Sequence, residues 1–222
     1  MSRSVFVLPI IISMFTSLAC NSATATVTTV PDPVVDTPLA KTKGEQTAVI
    51  AGGCFWGIQA VFQHVKGVIA ATSGYAGGAS NTAHYEMVSS GGTGHAESVK
   101  VKYDPSVISF GQLLKVFFSV AHDPTELNRQ GPDTGTQYRS AVFFANPEQQ
   151  RIAEAYVYQL NRAKVFSRPI ATKVVRLDAF YAAEDYHQDY VTHHPDEPYI
   201  VYNDLPKVAA LRRQFPNLYV SK

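Results

Sequence analysis

The sequence predicts an α+β domain of the ferredoxin-like, split βαβ sandwich kind, with a long C-terminal coil wrapped over it. Three observations lead there. Thr47 to Ala51 is a short apolar run, and Glu97 to Tyr103 alternates with the period of a strand. Ile58, Val61, Phe62 and Val65, and later Phe110, Leu113, Leu114, Phe117 and Phe118, recur at the spacing of a core-facing helix stripe. The elements then follow one another as β-α-β-β-α-β, with a further helix and strand behind them.

The chain opens with Arg3 and an uncharged run from Val5 to Leu18, too short to span a bilayer and suited to a signal peptide, to which residues 1–25 are assigned. Two cleavage patterns compete. Leu18-Ala19-Cys20 resembles the end of a bacterial lipoprotein signal, with Ser17 where Leu is usual, whereas Ala23-Thr24-Ala25 is an ordinary small-x-small secretory site. Either one places the mature protein outside the cytoplasm, in the bacterial envelope or periplasm, touching a membrane only through a lipid on Cys20. Residues 26–45 are rich in Thr, Ala, Val and Pro without helical or strand period, and are expected to form a flexible linker. The folded domain is expected over 46–222, as a monomer. Lys+Arg number 19 against 18 Asp+Glu, with no basic stripe, which argues against nucleic acid as a partner.

The strand Thr47 to Ala51 runs into Gly52-Gly53-Cys54-Phe55-Trp56-Gly57 and then into the first helix, so Cys54 sits at a strand-to-helix turn. Paired glycines allow a tight turn and close approach of another molecule. At a helix N-terminus the unpaired N–H groups and the macrodipole are expected to favour thiolate over thiol. The bland alternative is a buried, inert cysteine. Against it stands the cysteine count: with Cys20 lipidated or removed, Cys54 is the only thiol, and an exported chain with one cysteine points to a reactive one. On the helical wheel Phe55 lies at the edge of the core stripe and Trp56 nearly opposite, a wall for an apolar ligand group or else an ordinary rim of the core.

Gly67 to Ser73 reads as the second strand, leading into Gly74-Tyr75-Ala76-Gly77-Gly78, which lacks the GxxxxGK pattern of a phosphate loop. A long polar stretch follows through Tyr85 to Gly94, more often functional than idle. In the third strand Val99, Val101 and Tyr103 face inward, and Ser98, Lys100 and Lys102 face water. Glu97 is in phase with the valines. An inward carboxyl resists ionisation and holds a proton near neutral pH; the alternative is a frayed strand end that reaches solvent. Asp104-Pro105 turns the chain into the second helix. The polar loop His122 to Arg139 comes next, then a strand over Ser140 to Phe144, a helix over Pro147 to Asn161 with Pro at its start, and a strand over Lys173 to Leu177. From Pro195 onward extended coil and a short helix, Leu205 to Phe215, are expected. His187, His193 and His194 suggest a metal site, but no i,i+4 histidine pair with a matching carboxylate stands out, and none is assigned.

Taken together, Gly53-Cys54-Phe55-Trp56-Gly57, Tyr85, Gly94-His95-Ala96-Glu97, Asn128-Arg129-Gln130-Gly131-Pro132-Asp133 and Gly135-Thr136-Gln137-Tyr138-Arg139-Ser140 closely resemble the type A peptide-methionine sulfoxide reductases, from about Thr47 to Tyr202. The resemblance implies that Cys54 is the nucleophile and becomes a sulfenic acid. Phe55 and Trp56 would receive the sulfoxide's methyl group, Glu97 with Tyr85 and Tyr138 would bind and protonate its oxygen, and Asp133 would serve recycling. The implied substrate is methionine sulfoxide, the S epimer, free or in oxidised proteins, and the implied role is repair of oxidative damage. The resemblance implies no bound cofactor. Gln59 stands where the family usually has Glu. No resolving cysteine follows Cys54, so regeneration would use an external thiol: a thioredoxin-like or glutaredoxin-like reductase, or a small thiol. The rival is that Cys20 is retained and resolves Cys54. Two other function classes compete, a cysteine acyl hydrolase using His95 or His122 as base and a binding domain that holds a thioether-like ligand without turnover.

Overall fold

A computed structural model of the chain describes Met1 and residues 29–222; the uncharged run expected to be a signal peptide, the two expected cleavage patterns and Cys20 lie outside the described residues. In chain order the elements are β1 (Gln46–Gly52), α1 (Phe55–Gln63), β2 (Val68–Ala76), α2 (Tyr85–Val88), β3 (Ala96–Tyr103), α3 (Phe110–Val116), β4 (Arg129–Gln130), β5 (Asp133–Thr134), β6 (Ser140–Phe144), α4 (Pro147–Arg162), β7 (Lys173–Arg176), β8 (Phe180–Ala182), α5 (Tyr190–His193) and α6 (Leu205–Gln214). The class is α+β, as expected. Six strands form one sheet in the order β7-β6-β1-β3-β2-β8, and β4 and β5 pair as a separate two-stranded ribbon. Every pairing in the large sheet is antiparallel except that of β6 with β7.

The unbroken apolar run of β1 follows from its place between β3 and β6. Ala48 and Ile50 face the main core with Phe62, Val99 and Val101, while Val49 and Ala51 join Ala96, Ala141 and Phe143 on the reverse face. Burial on both sides leaves no polar phase. Helix α3 opens on a capping box in which the Ser109 side chain accepts from the Gln112 N–H and the Gln112 side chain accepts from the Ser109 N–H. Helix α4 starts at an Asn146 cap with Pro147 behind it.

Three expectations change. Ser98, expected to face water, is fully buried and donates to the Ala96 carbonyl, because residues on the reverse face of β3 are covered as well. The linker is not free over its described part. Val30 is 3% exposed, Tyr156 donates to the Pro31 carbonyl at 2.6 Å, the Val34 N–H donates to Gln159, and Asp36 accepts from Ser109 and the Gly111 N–H. Aspartates and valines spaced through an aperiodic stretch can each find a partner on a helix, which period alone does not reveal. Finally, the expected helix over Leu205 to Phe215 is present as α6, but the chain leading to it is turns and short helices rather than extended coil. Past β8 come α5, a wide π turn over Ile200–Asp204 and α6, whose Val191, Ile200 and Leu205 pack with Ala60 and Trp56 of α1.

Candidate active site

Gly52 and Gly53 carry β1 into α1 where side chains would not fit. A Cβ on Gly52 would lie 2.8 Å from the His122 ring, and Gly53, at φ +100°, has the Gln130 side chain 2.5 Å from where its Cβ would be. His122 packs under this turn, its Nε2 2.8 Å from Ser140 Oγ and its Nδ1 3.2 Å from the Phe117 carbonyl. Burial lowers it to about 3, so it is a neutral structural ring.

Cys54 occupies the N-cap position of α1 and is 7% exposed. Its thiol is pushed well above the ordinary range, first by burial and then by the Glu97 and Asp204 carboxylates, while the Trp56 N–H and the Lys207 ammonium pull it down. The expectation of a standing thiolate is therefore overturned. The helix terminus acts in the expected direction through the Trp56 N–H, but desolvation of an anion outweighs it.

Glu97 lies on the covered face of β3, 2% exposed, and its Oε2 accepts the Phe55 N–H at 3.1 Å. The frayed-end alternative fails. Burial raises its carboxyl to about 8, with the Phe55 N–H opposing and Asp133 and Asp204 adding. It is thus an acid that keeps its proton at neutral pH, adjoining the residue that carries the sulfur.

Tyr85 begins α2, and its N–H donates to Glu184 Oε1 at 2.9 Å. Tyr138 ends the short turn before β6. Both hydroxyls are raised by burial first; the charges of Glu97 and Cys54 act on each of them, and that of Asp133 as well. Raised phenols remain donors. Arg139 ties the loops together: its guanidinium donates to the carbonyls of Gly94 and His95, just before Glu97, and to that of Thr136. Asp133 is half-buried, raised by that burial, and accepts the Tyr199 hydroxyl.

The aromatic pair divides its roles. Phe55 is 1% exposed, with its ring 5.9 Å from Tyr75 and 5.1 Å from His187. Trp56 is half-buried: it stacks on Tyr190 at 3.8 Å and 6°, meets Tyr199 edge-on at 5.9 Å, and donates from its indole N–H to His187 Nδ1 at 3.2 Å. It is at once a wall and a rim of the core. His187 serves Trp56 in this arrangement. Gln59 bridges α1 to the C-terminal segment, donating to the Ala71 carbonyl and to Gln188 and accepting the Asp189 N–H.

The sequence-predicted residues Cys54, Glu97, Tyr85, Tyr138, Asp133, Phe55 and Trp56 therefore share one neighbourhood. Sequence reasoning missed Glu184, Tyr190, Tyr199, Asp204 and Lys207. The only signal for them was the tyrosine-rich composition after Asp178, which carries no period and so names no position. Neither His95 nor His122 makes a hydrogen bond to Cys54 among the described residues; the His95 Nε2 lies 3.0 Å from the Ala79 carbonyl instead. That removes the oriented base an acyl hydrolase needs.

Comparison with known proteins agrees with this arrangement. The sequence model of the family described as peptide methionine sulfoxide reductase matches residues 46–218. The chain is 60% identical over 179 residues, 81% of its length and 92% of the relative's, to a protein of Mesorhizobium japonicum named "Peptide methionine sulfoxide reductase MsrA 2". It is 54% identical over 188 residues, covering 84% and 88%, to a Synechocystis protein of the same name. Among solved structures it resembles Mxr1 from Saccharomyces cerevisiae in reduced form, with a TM-score of 0.61 and 32% identity over 72% of this chain and 94% of that one. It also resembles methionine sulfoxide reductase A of Corynebacterium diphtheriae, with a TM-score of 0.59 and 37% identity over 74% and 82%. A family match over most of the chain, on the same residues that build the buried acid and sulfur, means that this chain belongs to the peptide methionine sulfoxide reductase family.

Proposed function

We propose that this chain reduces methionine S-sulfoxide, free or in oxidised proteins, to methionine, with Cys54 as nucleophile and Glu97 as acid. The observation that carries the reading is the Glu97 carboxyl on the Phe55 N–H, which sets a proton-bearing acid beside the Cys54 sulfur. A sulfoxide sulfur is a poor electrophile until its oxygen is protonated. Glu97 gives that oxygen a proton while the Tyr85 and Tyr138 hydroxyls orient it. The positive charge that develops beside Cys54 offsets the desolvation that keeps its thiol neutral in the empty site, so the thiolate forms with substrate in place. It attacks sulfur and forms an S–S bond as the thiol proton joins the protonated oxygen, which leaves as water. Water then attacks the Cys54 sulfur, the S–S bond breaks, and a proton returns to Glu97, so that Cys54 becomes a sulfenic acid, oxidised by two electrons, and methionine leaves, reduced by two. Trp56, braced by Tyr190, admits the methyl group on one side and so selects the epimer.

Regeneration uses an external dithiol of the thioredoxin or glutaredoxin class, or a small thiol. The first sulfur attacks the Cys54 sulfenic acid and water leaves; a second thiol releases Cys54 by exchange. Supporting this, Cys20 and Cys54 are the two cysteines of the sequence and none lies between Cys54 and Lys222. The leader of residues 1–25 supports export to the bacterial envelope. The sheet order β6-β1-β3-β2 supports describing the centre of the fold as a ferredoxin-like split βαβ unit, extended by β7 and β8.

Incubation with dithiothreitol and racemic methionine sulfoxide tests the reaction. Consumption of one epimer, abolished in Cys54→Ser, is expected; consumption of neither, or consumption that survives Cys54→Ser, overturns the assignment. Without reductant, intact mass after one turnover should show the gain of a single oxygen. A Cys20–Cys54 disulfide would refute external regeneration.

A further inference from the structure

Beneath the first turn of α1 lies an ion pair that the reaction as described does not use. Asp204, 0% exposed, accepts the Lys207 ammonium on Oδ1 at 3.0 Å, and its Oδ2 is buried without a partner. The pair is seated where Gly57 has no side chain: a Cβ there would lie 2.1 Å from Asp204 Oδ1 and 2.8 Å from Lys207 Nζ. Gly57 is the third residue of α1, the turn of which Cys54 is the N-cap.

Three features make this pair costly as mere scaffolding. A glycine within a helix is less stable than alanine by roughly 1 kcal/mol, and α1 accepts one to admit the pair. Lys207 stands in the first turn of α6, where the helix dipole disfavours a cation. A buried ion pair is often matched or bettered by packed apolar residues, and here one carboxylate oxygen is left unpaired as well.

We propose that Asp204 and Lys207 are positioning residues for the attacking sulfur: Asp204 holds the ammonium against the first turn of α1, where its charge stabilises Cys54 while it is anionic. The groups that face Cys54 from the surrounding elements are Glu97 of β3, Tyr85 of α2, Tyr138 before β6, Tyr190 and Tyr199 of the C-terminal segment, and the pair itself. Lys207 is the cation in that set. With Glu97 protonated and the tyrosines neutral, it acts with the Trp56 N–H to favour an anion at sulfur, against burial and against the Asp204 carboxylate whose charge it offsets. The inference rests on Cys54 being the nucleophile.

The test is the pH profile of Cys54 alkylation by iodoacetamide, alongside single-turnover methionine formation, in Lys207→Met, Lys207→Gln and Lys207→Arg. Removing a neighbouring charge shifts a partly buried group by about one unit or more, so Lys207→Met should alkylate on the order of tenfold more slowly at pH 8, its rise moving to higher pH. Lys207→Gln retains a donor for Asp204 without the charge. It should behave like Lys207→Met, and Lys207→Arg should recover most of the wild-type profile. If Lys207→Met does not fold, the Gln and Arg variants decide alone. A wild-type profile in Lys207→Gln overturns the proposal and leaves the pair as scaffolding. Failure of the parent assignment looks different: Cys54→Ser would then still form methionine.

Discussion

Glu97 concentrates the chemistry in one side chain, and its environment makes it measurable in two ways. Glu97→Gln keeps the shape and an acceptor for the Phe55 N–H but removes the acid, and should lower the rate of reduction by about 100- to 10,000-fold. In the wild type the rate of the chemical step should fall as pH rises through about 8, where the carboxyl loses its proton; Glu97→Gln should lack that limb. The same burial links to stability. The folded state holds this proton up to about 8, whereas an unfolded chain releases it near the ordinary carboxylate value. The folded state therefore binds more protons in between, and stability should decline from about pH 4.5 to about 8, by on the order of a few kcal/mol. Chemical denaturation across that range should show a flatter curve for Glu97→Gln. Glu97 was legible in the sequence because a two-residue period aligned it with Val99 and Val101. The direction of the Cys54 shift was not. A strand-to-helix turn announces the helix terminus, but how deeply the sulfur is buried and which carboxylates surround it depend on β3 and the C-terminal segment.

The elements at either end of the domain show where pattern stops being informative. Strand β6 matched its apolar run residue for residue, and α4 its Pro-started stripe to within a residue, because each carries a period or a terminus signal of its own. The strap from Val30 to Thr37 carries neither, yet Asp36 reaches the start of α3, accepting the Ser109 hydroxyl and the Gly111 N–H. Adding an anion to that terminus supplements the Ser109 cap and suits the dipole. Asp36→Ala should cost about 1–2 kcal/mol, read as a lower melting temperature with activity on free methionine sulfoxide unchanged at temperatures where the variant is folded. An unaltered melting temperature would show the strap to be a passive tether. The short elements past β8 were equally hidden: four-residue helices and a wide π turn have too few residues to display any repeat, and they are fixed by docking on α1 through Gln59, Trp56 and Gly57.

In the assembled molecule the groups assigned to the proposed reaction come from regions far apart in the chain. Cys54 follows β1, Glu97 opens β3, Tyr138 and Asp133 flank the ribbon-to-β6 connection, and Tyr199, Asp204 and Lys207 close from the end. Sheet order makes this possible by setting β1 beside β3, so that a turn at the end of one strand meets the first carboxyl of the next. The last segment acts as a cover, bringing Tyr190 onto Trp56 and the Tyr199 hydroxyl onto Asp133. That cover has a practical consequence. Trp56 is the only tryptophan in the chain, and it stacks on the Tyr190 ring while its indole N–H meets His187. Its fluorescence has a single emitter, so a change in brightness or colour on mixing with a sulfoxide would time the arrival of that ligand without any attached dye.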